Sequence, residues 1–265
     1  MKYKLGILGV GKMGSAILKG ITNAEIVKKS EIYLHLYEDS AVRLYGEELK
    51  YNYTRDVGSL FSSCESVILA IKPQTFGEIV AISDGIDFAG KCVISIAAGI
   101  TIDYLKKHFK NAEIIRCMPN TPALINMGVT SIASEANKEY TDFAKKIFSS
   151  VGKVYETEEG IMDYTVPLNG SMPAYLYYFA KAFIDGAAES GVPYETAESL
   201  VTESIISSAN MIIKSDDDID TLIKNVCSKG GTTIAGLEKL EEGKVDESIK
   251  KCFKACAERS KELAK

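Results

Sequence analysis

The pattern of apolar and polar positions changes near residue 157. Before it, short apolar runs rich in β-branched residues alternate with amphipathic stretches of helical period, which is typical of βαβ units around a largely parallel sheet. The first run, Lys4 to Leu8, predicts a strand buried on both faces. The predicted strands are residues 4–8, 32–37, 51–53, 66–71, 92–97, 114–117, 130–133 and 153–155, and the predicted helices include 13–22, 41–49, 102–108 and 140–148.

From Gly160 onward the alternation ends and helical periodicity continues almost to the end of the chain. Pro173 suits the first turn of a helix, and Asp216 to Asp218 can cap another. We therefore predict an α/β fold, a Rossmann-like doubly wound sheet in residues 1–157, followed by an all-helical substrate-binding and dimerisation domain in residues 158–265. Its predicted helices are residues 173–189, 194–214, 219–226, 233–241 and 245–263.

Two stretches of this second part, residues 174–184 and 204–213, are apolar on more than one face. A small helical domain cannot bury that much apolar surface alone. We therefore expect a partner subunit to cover it.

Composition narrows the class of protein. The 265 residues are 46% hydrophobic with a formal net charge of −5, so we expect a globular protein with a sizeable core and no nucleic-acid partner. No apolar run approaches the span of a bilayer, and the first strand begins at once, so we expect neither membrane insertion nor a signal peptide, and a cytoplasmic location. The six cysteines form no CxxC pair and the chain has 2 histidines, so we expect no metal site.

The glycine-rich turn after the first strand is the clearest chemical signal. Gly9, Gly11 and Gly14 have the GxGxxG spacing of a dinucleotide-binding turn, with Lys12 and Met13 opening the helix. Unpaired N–H groups at that helix N-terminus favour a phosphate. A glycine turn with only a structural role is the alternative, and the order strand, turn, helix favours nucleotide binding.

Three further strand ends carry candidate residues. Glu38 follows the second strand, where it can accept hydrogen bonds from ribose hydroxyls and, with Asp39, repel a 2′-phosphate. Lys72 and Pro73 follow the fourth strand at the ligand-binding edge of the sheet, and Asn120 lies in a proline-stiffened loop where it can face a nicotinamide. The alternatives are a solvated carboxylate, a surface charge and a rigid turn.

A second glycine-rich loop occurs far along the chain, at Cys227 to Thr233. Its N–H groups around Gly231, the helix that follows, and the hydroxyls of Ser228 and Thr233 can hold a small carboxylate. Equally, Ser228 can be a helix cap and the glycines a hinge.

Taken together, these segments resemble pyrroline-5-carboxylate reductase, the enzyme of the last step of proline synthesis. The resemblance covers nearly the whole chain. It rests on Gly9-Val10-Gly11-Lys12-Met13-Gly14, Ala70-Ile71-Lys72-Pro73, Ser95 to Ile100, Arg116 to Ala123, Gly170-Ser171 with Pro173-Ala174-Tyr175, and Gly230-Gly231-Thr232-Thr233.

The resemblance implies that the first domain binds NADH or NADPH and that the helical domain forms a dimer, often within a decamer. It implies that Ser228, Gly231, Thr232 and Thr233 hold the carboxylate of a cyclic imino acid, with the catalytic Thr233 hydroxyl near the ring nitrogen. It also implies that Asn52 lies at the adenosine end of the cofactor, and that Ala70, Lys72 and Pro73 lie beside the nicotinamide ribose.

The sequence departs from the family pattern at Met172, usually glycine, at Lys229, usually proline, and at residues 216–219, usually a Glu-x-His-Pro run. Two alternatives stay open. One is a hydroxyacid dehydrogenase of the same architecture with Lys181 as its acid/base group, and the other is an NAD(P)-binding regulatory protein without catalysis.

Overall fold

A computed structural model describes residues 2–263, and the eight strands found there form a single sheet. Spatially the strands run β3-β2-β1-β4-β5-β6-β7-β8, and every neighbouring pair is parallel except β6 with β7. The strands are β1 Tyr3–Leu8, β2 Ile32–His35, β3 Asn52–Thr54, β4 Cys64–Leu69, β5 Cys92–Ser95, β6 Glu113–Met118, β7 Gly128–Ser134 and β8 Gly152–Glu156. All eight predicted strands are confirmed, and so is the largely parallel sheet.

The helices fall into two groups along the chain. Those between the strands are α1 Lys12–Asn23, α2 Asp39–Ala41 continuing as a π-helix Val42–Glu48, α3 Val57–Ser63, α4 Phe76–Ser83, α5 Ile102–His108 and α6 Lys138–Ser149. After β8 follow α7 Met162–Thr165, α8 Met172–Glu189, α9 Tyr194–Lys214, α10 Ile219–Val226, α11 Thr232–Glu242 and α12 Val245–Leu263. The predicted all-helical second part is confirmed.

Alternate residues of the strands feed two cores, one on each face of the sheet. Leu5 and Ile7 of β1 pack on one face with residues of α1 and α6, whereas Leu8 packs on the other. On that second face Phe61, Phe88 and Phe109 contact one another edge to face, with ring centroids 5.2 to 5.7 Å apart. The predicted burial of β1 on both sides is therefore confirmed, as expected for a parallel strand covered by helices.

The chain divides into two compact units. The sheet unit contains residues up to Pro173 together with the last turns of α12 from Cys256, and the helical unit contains Ala174 to Ala255. The predicted domain boundary at residues 157 and 158 follows the end of the last strand, whereas these units divide after Pro173. The sheet unit is therefore assembled from two separate stretches of sequence.

A buried ion cluster ties the end of α12 to the sheet unit. Arg116 of β6, with its side chain 3% exposed, donates to Glu159 at 2.9 Å and to Asp163 at 2.7 Å. Asp163 also accepts from the Ser260 hydroxyl of α12 at 2.8 Å. Gly99, at φ +78°, lies so close that a Cβ there would stand 2.6 Å from the Ser260 carbonyl oxygen.

The helical unit leaves large apolar side chains in contact with solvent in the isolated chain. On α8, Tyr177, Tyr178 and Phe183 are 62 to 75% exposed, and on α9 Leu200 and Ile213 are 62 and 70% exposed. All of these residues except Leu200 lie in the two stretches, 174–184 and 204–213, that the sequence predicts to be apolar on more than one face. Across residues 2–263, no helix combines the length and apolar character needed to span a bilayer.

Candidate active site

The strand order reverses between β1 and β4, and this reversal creates a crevice at the carboxyl ends of the two strands. In doubly wound sheets ligands bind at such a switch point. The predicted cofactor residues follow β1 (Gly9 to Gly14) and β4 (Ala70 to Pro73), so the structure brings both sets to this crevice. The Ala70 amide donates to the Leu8 carbonyl at 2.8 Å, so the two loops are in direct contact.

Each glycine of the turn has a different steric environment. Gly9 has a φ of +94°, and a Cβ there would stand 2.6 Å from the Ala70 carbonyl oxygen, so only glycine fits. A Cβ at Gly14 would stand 2.1 Å from the Gly9 carbonyl oxygen. At Gly11 a Cβ would meet no atom within 4 Å, which leaves open space on the side where a pyrophosphate would approach.

The N-terminus of α1 is open to an anion. Its cap is Gly11, which has no side chain to occupy the first amide groups, and its first turn contains no acidic residue. The partly buried side chain of Met13 packs with Ala16, Ala123 and Val151, whereas Lys12 is exposed. These features fit the pyrophosphate of a dinucleotide.

On the β4 side of the crevice, a short 3₁₀ turn fixes the backbone. It spans Pro73–Thr75, and the Lys72 carbonyl accepts from the Thr75 amide at 3.0 Å and from its hydroxyl at 2.8 Å. The Lys72 side chain is exposed at the carboxyl edge of the sheet. The site residues that the sequence predicts on this side are therefore presented to the crevice by a fixed loop.

At the end of β2, Glu38 is exposed and precedes the first turn of α2. Its neighbour Arg55, which follows β3, is not among the residues that the sequence predicts for the site. The Arg55 guanidinium donates to the Tyr37 carbonyl at 3.2 Å and forms a short ion pair with Asp39, which raises the pKa of Arg55. Opposite charges 16 residues apart, each just after a predicted strand, are the signal that could have found this pair.

Asn52 is not brought to this edge, which corrects its predicted contact with adenosine. It is the first residue of β3 and pairs with Tyr33, level with Gly6 in the middle of β1. Its amide donates to the Ser30 carbonyl, before β2, at 3.1 Å. At the carboxyl end β3 instead supplies Thr54, after which Arg55 follows.

Asn120 has a structural role in this fold, and its predicted contact with the nicotinamide stays a prediction. The side chain is 6% exposed, its oxygen accepts from the Val129 amide at 2.8 Å, and its nitrogen donates to the Asn169 carbonyl at 3.1 Å. Asn169 in turn donates to the Met118 carbonyl at 2.6 Å. Asn120 therefore fixes the loop after β6 through its side chain.

In the helical unit, the second glycine-rich loop is built around α11. Gly231 is the cap of this helix and has no side chain, so Ser228 is not the cap that the alternative required. The Gly231 amide donates to the Ser228 carbonyl at 2.9 Å, and a Cβ at Gly231 would stand 2.4 Å from the Ser228 hydroxyl oxygen. Ser228 and Thr232 are exposed and Thr233 is half-buried, so hydroxyls and free amides lie together at the start of α11.

The helix lysine that a hydroxyacid dehydrogenase would need is already paired. Lys181 on α8 contacts Asp185 at 2.5 Å, and this hydrogen-bonded carboxylate raises the pKa of the lysine. A lysine whose proton is held by a carboxylate is a weaker acid/base group than one beside an uncharged amide.

Three of the cysteines lie in the core of the sheet unit. Burial raises the pKa of Cys64 to about 12, and it also raises the pKa values of Cys92 and Cys117, so these thiols are unreactive core residues. Within residues 2–263 there is no group of three or more His, Cys, Asp or Glu side chains that could hold a metal ion.

The doubly wound sheet, with a glycine-rich turn at its switch-point crevice, defines a dinucleotide-binding protein. A pyrroline-5-carboxylate reductase of Glycine max is 30% identical over 264 residues, which are 99% of this chain and 96% of the relative. Pyrroline-5-carboxylate reductase 2 of Bacillus subtilis is 33% identical over 269 residues, covering 98% and 95%. This chain belongs to the pyrroline-5-carboxylate reductase family.

Family models and a solved structure agree with that assignment. The model described as pyrroline-5-carboxylate reductase dimerisation matches residues 159–263, and the model described as NADP oxidoreductase coenzyme F420-dependent matches residues 4–99. The crystal structure of Plasmodium falciparum pyrroline carboxylate reductase with NADP bound has a TM-score of 0.89 and 31% identity, with 100% of both chains covered. The exposed apolar helices are therefore explained by self-association through the helical domain.

Proposed function

We propose that this protein reduces 1-pyrroline-5-carboxylate to L-proline, the last step of proline biosynthesis, with NADH or NADPH as the hydride donor. The observation that carries the proposal is the pairing of two anion sites within one chain of this family. One is the open N-terminus of α1 at the switch point, and the other is the N-terminus of α11 beside Ser228 and Thr233, where the cap Gly231 has no side chain.

The sheet unit binds the cofactor. Gly9, Gly11 and Gly14 bring backbone amides to the pyrophosphate, with Lys12 and the backbone of Met13 at the first turn of α1. Glu38 accepts from the ribose hydroxyls at the adenosine end, while Ala70, Lys72 and Pro73 line the nicotinamide side. When bound, the reduced nicotinamide supplies the hydride.

The loop before α11 binds the substrate. The amides of Thr232 and Thr233 and the hydroxyl of Ser228 hold the ring carboxylate beside the cap residue Gly231, because an anion is stabilised at a helix N-terminus. The Thr233 hydroxyl then orients the ring nitrogen, which is protonated when the adjacent carbon accepts a hydride. Orienting the ring removes most of the entropy cost of reaction, and this is what the residues of the loop contribute.

A steady-state assay tests this function. Oxidation of each reduced cofactor is followed with five- and six-membered cyclic imino acids, and we expect faster turnover with the five-membered ring. Thr233→Ala should lower kcat/KM by about tenfold to a hundredfold, because a positioned hydrogen bond is lost. Lys181→Ala is the matched control and should leave turnover intact.

The same assay separates the alternatives. Turnover of 2-hydroxy acids that is lost in Lys181→Ala would favour the hydroxyacid dehydrogenase. Tight cofactor binding without turnover of any imine would favour the regulatory protein, for which the departures at Met172 and Lys229 are the motivation.

We further propose that the protein is a dimer, with a decamer as its larger assembly, and that it acts in the cytoplasm on a small cyclic imino acid. The exposed aromatic rings of α8 support the dimer, and six free thiols are typical of a reducing compartment. Light scattering of the protein as it elutes from a size-exclusion column measures the mass of the assembly, and so the number of subunits, directly.

A further inference from the structure

Arg55 lies at the edge of the sheet that would contact the adenosine ribose of a cofactor and, in NADP, its 2′-phosphate. It follows Thr54, which pairs with His35, and His35 pairs with Leu8, so Arg55 emerges at the same carboxyl edge as the glycine turn. Neighbouring strands are about 5 Å apart, so Arg55 stands about 10 Å across the sheet from that turn, on its β2 side. The segment Tyr37 to Asp39 emerges between the two.

An arginine near the end of β2 is the residue that accommodates the 2′-phosphate of NADP in this type of fold. Here that role is blocked, because one arm of the Arg55 guanidinium donates to the Tyr37 carbonyl at 3.2 Å and the other pairs with Asp39. The neighbouring Asp56 does not share this task, because its carboxylate accepts from Gly58 and Ser59 at 3.1 Å as the cap of α3.

The second arginine of the region is also paired. Arg43 contacts Glu48 at 3.4 Å within the π-helical segment after α2. Glu38, by contrast, forms no salt bridge within residues 2–263, and its carboxylate is free to face a ribose. The edge therefore offers a cofactor an unpaired negative charge and guanidinium groups that already hold carboxylates.

We propose that Asp39 is a positioning residue that selects the unphosphorylated cofactor by holding Arg55. While Asp39 pairs with Arg55, a 2′-phosphate meets the charge of Glu38 without a free cation. Without Asp39, Arg55 can turn to the phosphate and NADPH binding improves. This inference rests on the proposed function, because it assigns the cofactor preference of the same site.

The test compares two ligands that reach only the adenosine half, adenosine 5′-phosphate and adenosine 2′,5′-bisphosphate, by titration calorimetry on the full-length protein. We expect the wild type to prefer the monophosphate. In Asp39→Ser the affinity for the bisphosphate should rise about tenfold, which is the size of one charge-assisted hydrogen bond, while the affinity for the monophosphate stays nearly constant. The ratio of kcat/KM for NADPH and NADH should move in the same direction.

Two variants serve as controls. Glu48→Gln also removes one negative charge and releases Arg43, so it measures the effect of net charge alone and should change the ratio less than twofold. In the double variant Asp39→Ser with Arg55→Leu the gain should disappear. An equal gain in Glu48→Gln, or a gain that persists in the double variant, would overturn the proposal.

The outcomes also separate this inference from the function itself. Failure of the wild type to bind NADH or either adenosine ligand would contradict nucleotide binding as a whole. Normal binding of NADH with an unchanged ratio in Asp39→Ser would contradict only the role of Asp39.

Discussion

The two units of this protein differ in how far they bury their large apolar side chains. In the sheet unit, Phe61 and Phe109 are fully buried by residues of the same chain. In the helical unit, Phe183 and Tyr178 are 62 and 75% exposed in the isolated chain. The sheet unit therefore completes its core alone, whereas the helical unit carries the surface on which a second chain must pack.

The largest effects, on stability and on self-association, should come from replacing one phenylalanine in each unit. Phe61→Ala should lower the free energy of unfolding by about 3 to 5 kcal/mol, because removing this ring leaves a cavity in the buried aromatic cluster. Phe183→Asp should leave the fold of a single chain intact but weaken self-association, with a dissociation constant raised at least about tenfold. Chemical denaturation and analytical ultracentrifugation of both variants measure these effects.

The comparison would fail if Phe61→Ala dissociated the assembly without loss of stability, or if Phe183→Asp had no effect on assembly. Cofactor affinity is the control for Phe183→Asp. It should stay unchanged, because the glycine turn belongs to the sheet unit and Phe183 to the helical unit.

A second prediction contrasts two glycines of the cofactor turn. Gly14→Ala should lower the free energy of unfolding by about 2 kcal/mol or more and abolish cofactor binding, because its Cβ would overlap the Gly9 carbonyl oxygen. Gly11→Ala should leave thermal stability nearly unchanged and still weaken cofactor binding, because its methyl group would enter open space where the pyrophosphate approaches. Gly77→Ala, whose Cβ also meets no atom within 4 Å, is the control that should leave cofactor binding unchanged and should not lower stability, because alanine is favoured over glycine in helix α4.

The smallest predicted effect is a pH dependence confined to the sheet unit, which contains both histidines. Burial lowers the pKa of His35 from its usual 6.5. Below that pH the unfolded chain takes up a proton that the folded protein resists, so stability should fall as the pH is lowered through about 6.5. In His35→Asn this part of the fall should be absent from melting curves recorded across that range, and an unchanged pH profile would contradict it.

The sequence predicts the strands well because each is a local run of apolar residues, and it predicts the glycine turn because the spacing itself carries the chemistry. The side-chain environments that the sequence does not predict depend on distant partners. Asn52 has the residue type for a ribose contact, but the start of β3 places it level with Gly6. Asn120 is held by Val129 and by Asn169, 49 residues away, and no local pattern reveals that.

The sites that the sequence missed have the same origin. Arg55 and Asp39 meet only because β2 and β3 are neighbours in the sheet, and the buried Arg116 cluster joins residues 43 to 97 positions apart. Such pairs become visible once the strand order is known, since residues that follow adjacent parallel strands emerge on one edge.

The return of α12 to the sheet unit has a consequence for synthesis of the chain. Ser260, which completes the hydrogen bonds of Asp163, leaves the ribosome only after the entire helical unit has been made. The sheet unit therefore begins to fold first, but its last contacts form only after the helical unit has been synthesised. The helical unit lies in sequence between the two stretches that make up the sheet unit. Vectorial translation thus makes the final contacts of the sheet unit depend on prior synthesis of the helical unit.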